Sequence, residues 1–450
     1  MGRRALGLMR ATARSAPAET AGLRARKLAA YLLRAVLQGK QPFDDAFAAS
    51  SAKTAFAGLE FRDRAFARAI AATALRRLGQ IEDILGRFLE RPLPAEASEA
   101  RFILIAAAAQ LAFMEVAPHA AISLAVEQAK GSRAAHRHAG LVNAILRKVS
   151  AHAAAIAGRQ DAAALNTPAW LFARWTSHYG EDTARKIAMA HLEEPALDLS
   201  VKRDAEGWAA RLGGVALPWG TLRLSHKGRI EDIEGYAAGA WWVQDAAAAI
   251  PALLLGDVRG LRVADLCAAP GGKTAELAAR GAQVTAVDLS AARLRRLKEN
   301  LDRLRLEAEI VRADVCEWSA PQPFDAVLLD APCSATGTIR RNPDIPYLKS
   351  EADIASLSRL QARLLDSAPG LLKPGGKIIY STCSLEAEEG EEQIKALPGR
   401  RADVTLIPIR PGECNIPPEC VTPAGMLRTL PFQGGGMDGF FAARLAIGKN

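Results

Sequence analysis

Between about residues 22 and 150, apolar positions recur three and four apart, as in Leu28, Tyr31, Leu32 and Val36, the spacing of one buried helix face. Breaks fall near Gln41-Pro42, Arg91-Pro92 and Ala117-Pro118, because the residue before a proline is turned away from helix. The pattern predicts an all-α bundle over 22–150, preceded by a basic, disordered tail over 1–21. A linking helical stretch follows, opening at Thr167-Pro168 and closing at Glu194-Pro195. Past about Leu197 the period changes. Strand-like runs (Arg262 to Cys267, Gln283 to Val287, Ala308 to Val311, Ala326 to Leu329, Gly376 to Ser381) alternate with helical ones (Ala291 to Leu304, Ala352 to Leu372). Such alternation predicts an α/β doubly wound, mostly parallel sheet over 251–450. Residues 151–250 then form linker helices and a small α+β subdomain. Two last runs, Val404 to Ile409 and Phe440 to Leu445, are expected to pair as a terminal hairpin.

Composition sharpens this division. Residues 1–150 hold 23 Lys and Arg against 12 Asp and Glu, whereas the other 300 hold 35 against 37. A basic domain joined to a near-neutral one suggests that the first grips a polyanion and the second does chemistry. Arg62, Arg64, Arg76, Arg77, Arg133, Arg137, Arg147 and Lys148 are the candidates for phosphate contacts, which position a nucleic acid without reading its sequence. The longest apolar run, Phe102 to Met114, is broken by Gln110 and too short to span a bilayer, so no membrane partner is expected. Cysteines at 267, 316, 333, 383, 414 and 420 are thinly spread, without the close pairs of a zinc site. That usage fits a reducing cytoplasm and no metal.

Asp265-Leu-Cys-Ala-Ala-Pro-Gly-Gly-Lys-Thr274 follows the first strand of the α/β region and leads into a helix. Glycines at 271 and 272 allow close backbone approach, and a helix start offers unpaired N–H groups. The second strand ends in Asp288, placed to accept from ribose hydroxyls; the third leads to Asp314 and the fourth to Asp330. Three acids would thus line the carboxyl edge of the sheet. A Walker loop is excluded because position 267 is Cys rather than Gly, and the dinucleotide pattern Gly-x-Gly-x-x-Gly is missing. A nucleoside-bearing ligand without a phosphate cradle remains, and S-adenosyl-L-methionine fits that description.

Two cysteines end neighbouring strands of this scheme: Cys333 in Asp330-Ala-Pro-Cys333 and Cys383 in Ser381-Thr-Cys383. An isolated cysteine is more often a small buried hydrophobe than a reactive group. Two of them at adjacent strand ends, beside a cofactor loop, would share one cleft.

These residues closely resemble the Nop/Sun family of RNA cytosine-5 methyltransferases. The loop 265–274, Val287-Asp288, Asp314, the stretch DAPCSATGTIRRNPD (330–344), Thr382-Cys383 and Asp438-Gly-Phe-Phe441 fall in family order. Pro118-His-Ala-Ala121 and Gly140-Leu-Val-Asn-Ala-Ile-Leu-Arg147 resemble a NusB-like RNA-binding domain, a pairing similar to the bacterial small-subunit ribosomal RNA methyltransferase B group. The resemblance implies a Rossmann-like methyltransferase sheet behind a NusB-like bundle. It implies cofactor binding by Cys267, Ala268, Ala269, Pro270, Gly271, Gly272, Lys273, Asp288, Asp314 and Asp330, the last also touching the cytosine. It further implies attack on the base by Cys383 and product release by Cys333, a division that separates RNA from DNA cytosine methyltransferases. The chain departs from the family at Ser200-Val-Lys202, where Arg-Val-Asn is usual, and at Gln244-Asp-Ala-Ala-Ala248, where Ser is usual at the last position.

The chemistry explains the need for a thiol. Cytosine C5 is too weak a nucleophile until a thiolate adds to C6. A free thiol is only a few per cent ionised at neutral pH, a penalty of roughly 2 kcal/mol. The expected partner is 16S ribosomal RNA not yet fully assembled, acted on by a monomer. Transfer RNA or another ribosomal RNA is the alternative target. A non-catalytic ribosome-assembly or transcription factor is the rival of another class, which retention of both cysteines and all three acids disfavours.

Overall fold

The structure, a computed structural model, describes residues 21–91, 93, 98–226 and 228–448, so the expected basic tail lies, but for Ala21, outside the described residues. The chain divides into two compact units, Met1–Gln160 and Asp161–Asn450.

In the first unit the helices are α1 (Ala21–Leu37), α2 (Phe43–Ser50), α3 (Phe61–Arg76), α4 (Leu78–Gly86), α5 (Ser98–Phe113), α6 (Pro118–Gly131) and α7 (Ala139–Ala157). The longest apolar run of the sequence is the middle of α5, which packs against α1, α3, α4, α6 and α7 and is therefore buried on every side. Its lone polar interruption, Gln110, turns its amide back to the Ala106 carbonyl at 2.9 Å. Helix α7 continues past the boundary anticipated at 150, and Gln160 bonds back to the Gln80 carbonyl (3.0 Å) and Asp83 (2.8 Å). The unit accordingly closes at Gln160.

The second unit opens with α8 (Ala162–Asn166), α9 (Ala169–Tyr179) and α10 (Glu181–Ala190). A small antiparallel sheet, order β2-β3-β1-β4, follows from β1 (Leu197–Val201), β2 (Val215–Ala216), β3 (Thr221–Leu224) and β4 (Trp241–Val243), with α11 (Ala205–Leu212) across it. The division anticipated at 250 falls inside α12 (Ala246–Leu253). Asp245 caps that helix and β1 holds it through Asp198, which accepts from Ala246 N at 3.1 Å and takes Arg223 in a two-pronged pair.

The large sheet is built from β5 (Arg262–Leu266), β6 (Gln283–Asp288), β7 (Glu309–Arg312), β8 (Phe324–Asp330), β9 (Leu372–Thr382), β10 (Val404–Leu406), β11 (Leu427–Thr429) and β12 (Phe440–Ile447). Its order is β10-β12-β9-β8-β5-β6-β7, with β11 also on β12. Pairings among β5, β6, β7, β8 and β9 are parallel; β12 enters antiparallel between β9 and β10. The anticipated terminal pair exists, Val404 opposite Ile447, but β12 is an inner strand of the sheet rather than one arm of a free hairpin. Alternate residues face opposite cores, as the two-residue strand period requires: Ala326 and Leu328 meet α12, while Val327 and Leu329 meet α16 (Glu351–Ser367). The helix expected to run to Leu372 stops at Ser367, a 3-10 turn carries Pro369, and the strand begins at Leu372. Helices α13 (Gly272–Ala279), α14 (Ala291–Leu304), α15 (Ile345–Leu348) and α17 (Glu391–Ala396) complete the unit. Among the described residues no helix is long and apolar enough to cross a membrane.

Candidate active site

The chain crosses from one side of the sheet to the other at β5, whose neighbours are β6 and β8, and ligands of open α/β sheets bind at that switch point. The loop 267–271 leaves β5 there. Cys267 adopts a left-handed conformation (φ 60°), the Ala269-Pro270 peptide is cis, and Gly271 (φ 101°) starts α13 with no side chain capping it. A Cβ on Gly271 would lie 2.8 Å from Leu297 Cγ, so this glycine is required by the packing of α14. At Gly272 the nearest atom would be the Gln244 carboxamide at 3.6 Å, an ordinary contact. Of the two glycines, only the first is demanded by the fold.

The acids differ in their surroundings. Asp288 is buried at the end of β6 and accepts from Ala269 N (3.2 Å) and Ser290 N (2.9 Å), with Arg293 at 3.3 Å. Asp314 lies exposed beyond β7, one oxygen taking the Cys316 N–H at 2.9 Å. Asp265, the first residue of the loop motif but not among the expected ligands, is wholly buried in β5. One oxygen takes the Thr274 hydroxyl at 2.5 Å, and the other has no partner among the described residues. Burial pushes its carboxyl up to about 7. A buried acceptor beside the loop fits a ligand bringing an amino or hydroxyl donor, as S-adenosylmethionine does.

Strands β8 and β9 run side by side with Asp330 opposite Ser381, so Cys333 and Cys383 leave neighbouring strand ends. Their sulfurs stand 3.5 Å apart. The bond with Cys383, then burial, pushes the Cys333 thiol well up, so it stays protonated and can donate. Asp330 accepts from Ser381 Oγ (2.9 Å) and from the buried Lys273 ammonium (2.8 Å), which also lies 4.8 Å from the centre of the Phe440 ring. Burial pulls Lys273 down, but Asp330 outweighs it and the net shift is upward, with Cys383 adding attraction. Arg341 is likewise drawn to Cys383, and Asp438 holds it from behind. Lys273 and Arg341 thus both bring positive charge towards the Cys383 turn.

Around this centre lie residues that motif reading passed over. Glu389 binds Ser334 and Ser384, the residues after each cysteine, and a Cys-Ser pair occurring twice was the available signal. Arg174, Trp175 and Tyr179 of α9 bind Glu386, Glu388 and the Leu385 carbonyl, so the anticipated linker helix braces the Cys383 turn. Both family departures lie within the protein's own packing: Lys202 bonds the Leu304 carbonyl at the end of α14, and Ala248, within α12, packs half-buried against the core.

The eight basic candidates of the helical unit divide. Arg62, Arg133, Arg137, Arg147 and Lys148 are exposed on α3, the α6–α7 connection and α7. Arg64 turns inward to the Phe47 carbonyl (3.1 Å) and ring, and Arg77 to Gln80 (3.1 Å) and the Phe113 ring. Arg76, half-buried, ends α3 with its Nε inside the fold.

A doubly wound sheet with an inserted antiparallel strand, carrying an acid-lined loop and a thiol pair at its carboxyl edge, defines a Rossmann-like methyltransferase. The family model described as 16S rRNA methyltransferase RsmB/F matches residues 252–446, and that of the NusB family matches 23–151. A relative from Salmonella typhi, the ribosomal RNA small subunit methyltransferase B, is 34% identical over 414 residues, 87% of this chain and 95% of the relative. The crystal structure of the protein PH0851 covers 93% of this chain and 98% of its own, with TM-score 0.72 at 23% identity. A methyltransferase homolog protein from Pyrococcus horikoshii covers 61% and 93%, with TM-score 0.52 at 28% identity. The chain belongs to the 16S rRNA methyltransferase RsmB/F family.

Proposed function

We propose that this protein methylates carbon 5 of a cytosine in small-subunit (16S) ribosomal RNA in the cytoplasm, with Cys383 as nucleophile and Cys333 as the releasing cysteine. The observation that carries the reading is the thiol pair: two sulfurs 3.5 Å apart at adjacent strand ends, with the Lys273–Asp330 pair at the end of the same strand that leads to Cys333. The loop 267–273 with Asp288 and Asp314 would hold S-adenosylmethionine, which when bound supplies an electrophilic methyl group. The protein's own part is to raise the nucleophilicity of C5. Cys383 Sγ adds to C6, the C5–C6 pair of electrons shifts toward C4 and N3, and Asp330 with Lys273 faces the charge that develops. Once C5 carries its methyl group, its proton passes to water, the C5–H electron pair re-forms the C5–C6 double bond, and the Sγ–C6 bond breaks to return the Cys383 thiolate, with Cys333 assisting that exit. Unstacking the base costs a few kcal/mol, least where the RNA is already single-stranded, which favours a target not yet fully assembled.

The test is methyl transfer from labelled cofactor to ribosomal RNA from cells lacking the protein. Wild type should label the small-subunit RNA; no transfer to any stable RNA refutes the reading. Cys383→Ala should be inactive, and activity in that variant removes the nucleophile assignment. Cys333→Ala should accumulate a covalent RNA adduct on a denaturing gel; simple loss of activity without adduct removes the release role.

A further inference from the structure

Cys333 and Cys383 are each followed by a serine, and both serines turn to one carboxylate. Glu389, fully buried, accepts from Ser334 N (2.9 Å), Ser334 Oγ, Ser384 Oγ (2.5 Å) and Gln361 Nε2 (3.1 Å). The two hydroxyls are themselves 3.2 Å apart. The backbone of Glu389 is held by the same strand that carries Cys383: its carbonyl accepts from Tyr380 Oη at 2.8 Å and Thr382 Oγ1 at 3.1 Å. From outside, α9 grips the turn just before it through Arg174 and Trp175. Burying a carboxylate is expensive unless donors surround it, and here two of the residues supplying those donors directly follow the thiols. Nothing in the methyl-transfer chemistry requires this group.

We infer that Glu389 is a positioning residue that sets the separation of the Cys333 and Cys383 thiols, so that addition and release act in turn on one base. The inference rests on the two-cysteine reading above. The hydrogen-bond pattern distinguishes a clamp from an acid or base. Ser334 N, nearer to Oε1 (2.9 Å) than to Oε2 (3.2 Å), and Gln361 Nε2 are obligate donors grouped on the Oε1 side, whereas the two hydroxyls, which can reverse, meet Oε2. In Glu389→Gln the amide oxygen can take the first place and the NH2 can donate to the reversed hydroxyls, so the clamp survives without the charge.

The experiment pairs kinetics with a short bifunctional thiol reagent, such as dibromobimane, which bridges only thiols close together; peptide mass spectrometry locates the bridge. Wild type and Glu389→Gln should bridge Cys333 to Cys383 and keep comparable kcat. Glu389→Ala should bridge slowly and lose about 10²-fold in kcat with KM for RNA and cofactor unchanged, the scale expected of an ångström-level misplacement. The double variant Ser334→Ala/Ser384→Ala should reproduce both effects, and it decides the matter if Glu389→Ala does not fold. Unchanged bridging and kcat in these variants overturn the inference. So does a Glu389→Gln protein that bridges normally but is inactive, because the carboxylate would then be acting chemically. If bridging follows Glu389 while Cys383→Ala still methylates RNA, the clamp stands and the catalytic reading fails.

Discussion

Asp330→Asn keeps the shape of the strand end and removes the ion partner of a buried ammonium, that of Lys273 at 2.8 Å. Taking one partner from a buried pair costs roughly 3–5 kcal/mol. Asp330 keeps 32% of its side chain exposed, so solvent screens part of this. The screened loss is put at about 2–3 kcal/mol, and in a unit of this size that lowers the melting temperature by about 5 °C or more. The pH dependence is the sharper signature. In the wild type Lys273 is raised overall, since the attraction of Asp330 exceeds the burial that pulls it down. Without Asp330 the burial remains, and the folded-state value falls below that of the unfolded chain. The folded variant then binds fewer protons than the unfolded one, so its stability rises with pH. Thermal unfolding by circular dichroism should therefore show a large deficit at about pH 7 that narrows towards about pH 9.5. Adding Lys273→Met should restore part of the loss, because it removes the stranded charge. A deficit under about 1 kcal/mol, the range of exposed pairs, or one independent of pH, would refute the reasoning.

Other consequences can be checked with similar means. A methyl at Gly337 would lie 1.9 Å from the Gly439 carbonyl oxygen, so Gly337→Ala should shift the Cys333 turn. It should destabilise by about 1–3 kcal/mol in denaturant titration and lower kcat; wild-type values in both would disprove the contact. Asp265 holds its proton to about 7, whereas the unfolded chain loses it near the ordinary carboxylate value. Between those values the folded state binds more protons, so its stability falls as pH rises, and Asp265→Asn should flatten that dependence. Unchanged curvature would mean that Asp265 is already ionised. Replacing the exposed Arg147 and Lys148 should reduce the slope of log affinity for RNA against log salt by about 1–2, measured by fluorescence anisotropy. An unaltered slope would take the RNA contact away from α7.

What could be read from the chain followed local rules. Periodicity set the helical bundle apart from the alternating region, and strand ends located Asp288, Asp330, Cys333 and Cys383, because side-chain period and turn chemistry are properties of neighbouring residues. The ends of elements were less legible: α7 ran past its expected limit to Ala157, and α16 stopped early where Pro369 follows. The arginines show the limit most directly. In sequence, Arg64 and Arg147 are equivalent charges, yet one lies over the Phe47 ring and the other is exposed.

The sequence by itself determined the order of elements, the loop that follows β5 and the identity of the two thiols. Only the tertiary structure decided that the sulfurs meet at 3.5 Å, that β12 enters between β9 and β10, and that Glu389 and α9 hold the Cys383 turn. The physical reason is that periodicity and capping are local, whereas a buried carboxylate finds its donors among residues 55 and 28 positions away, Ser334 and Gln361, which come near only after the sheet has closed around them.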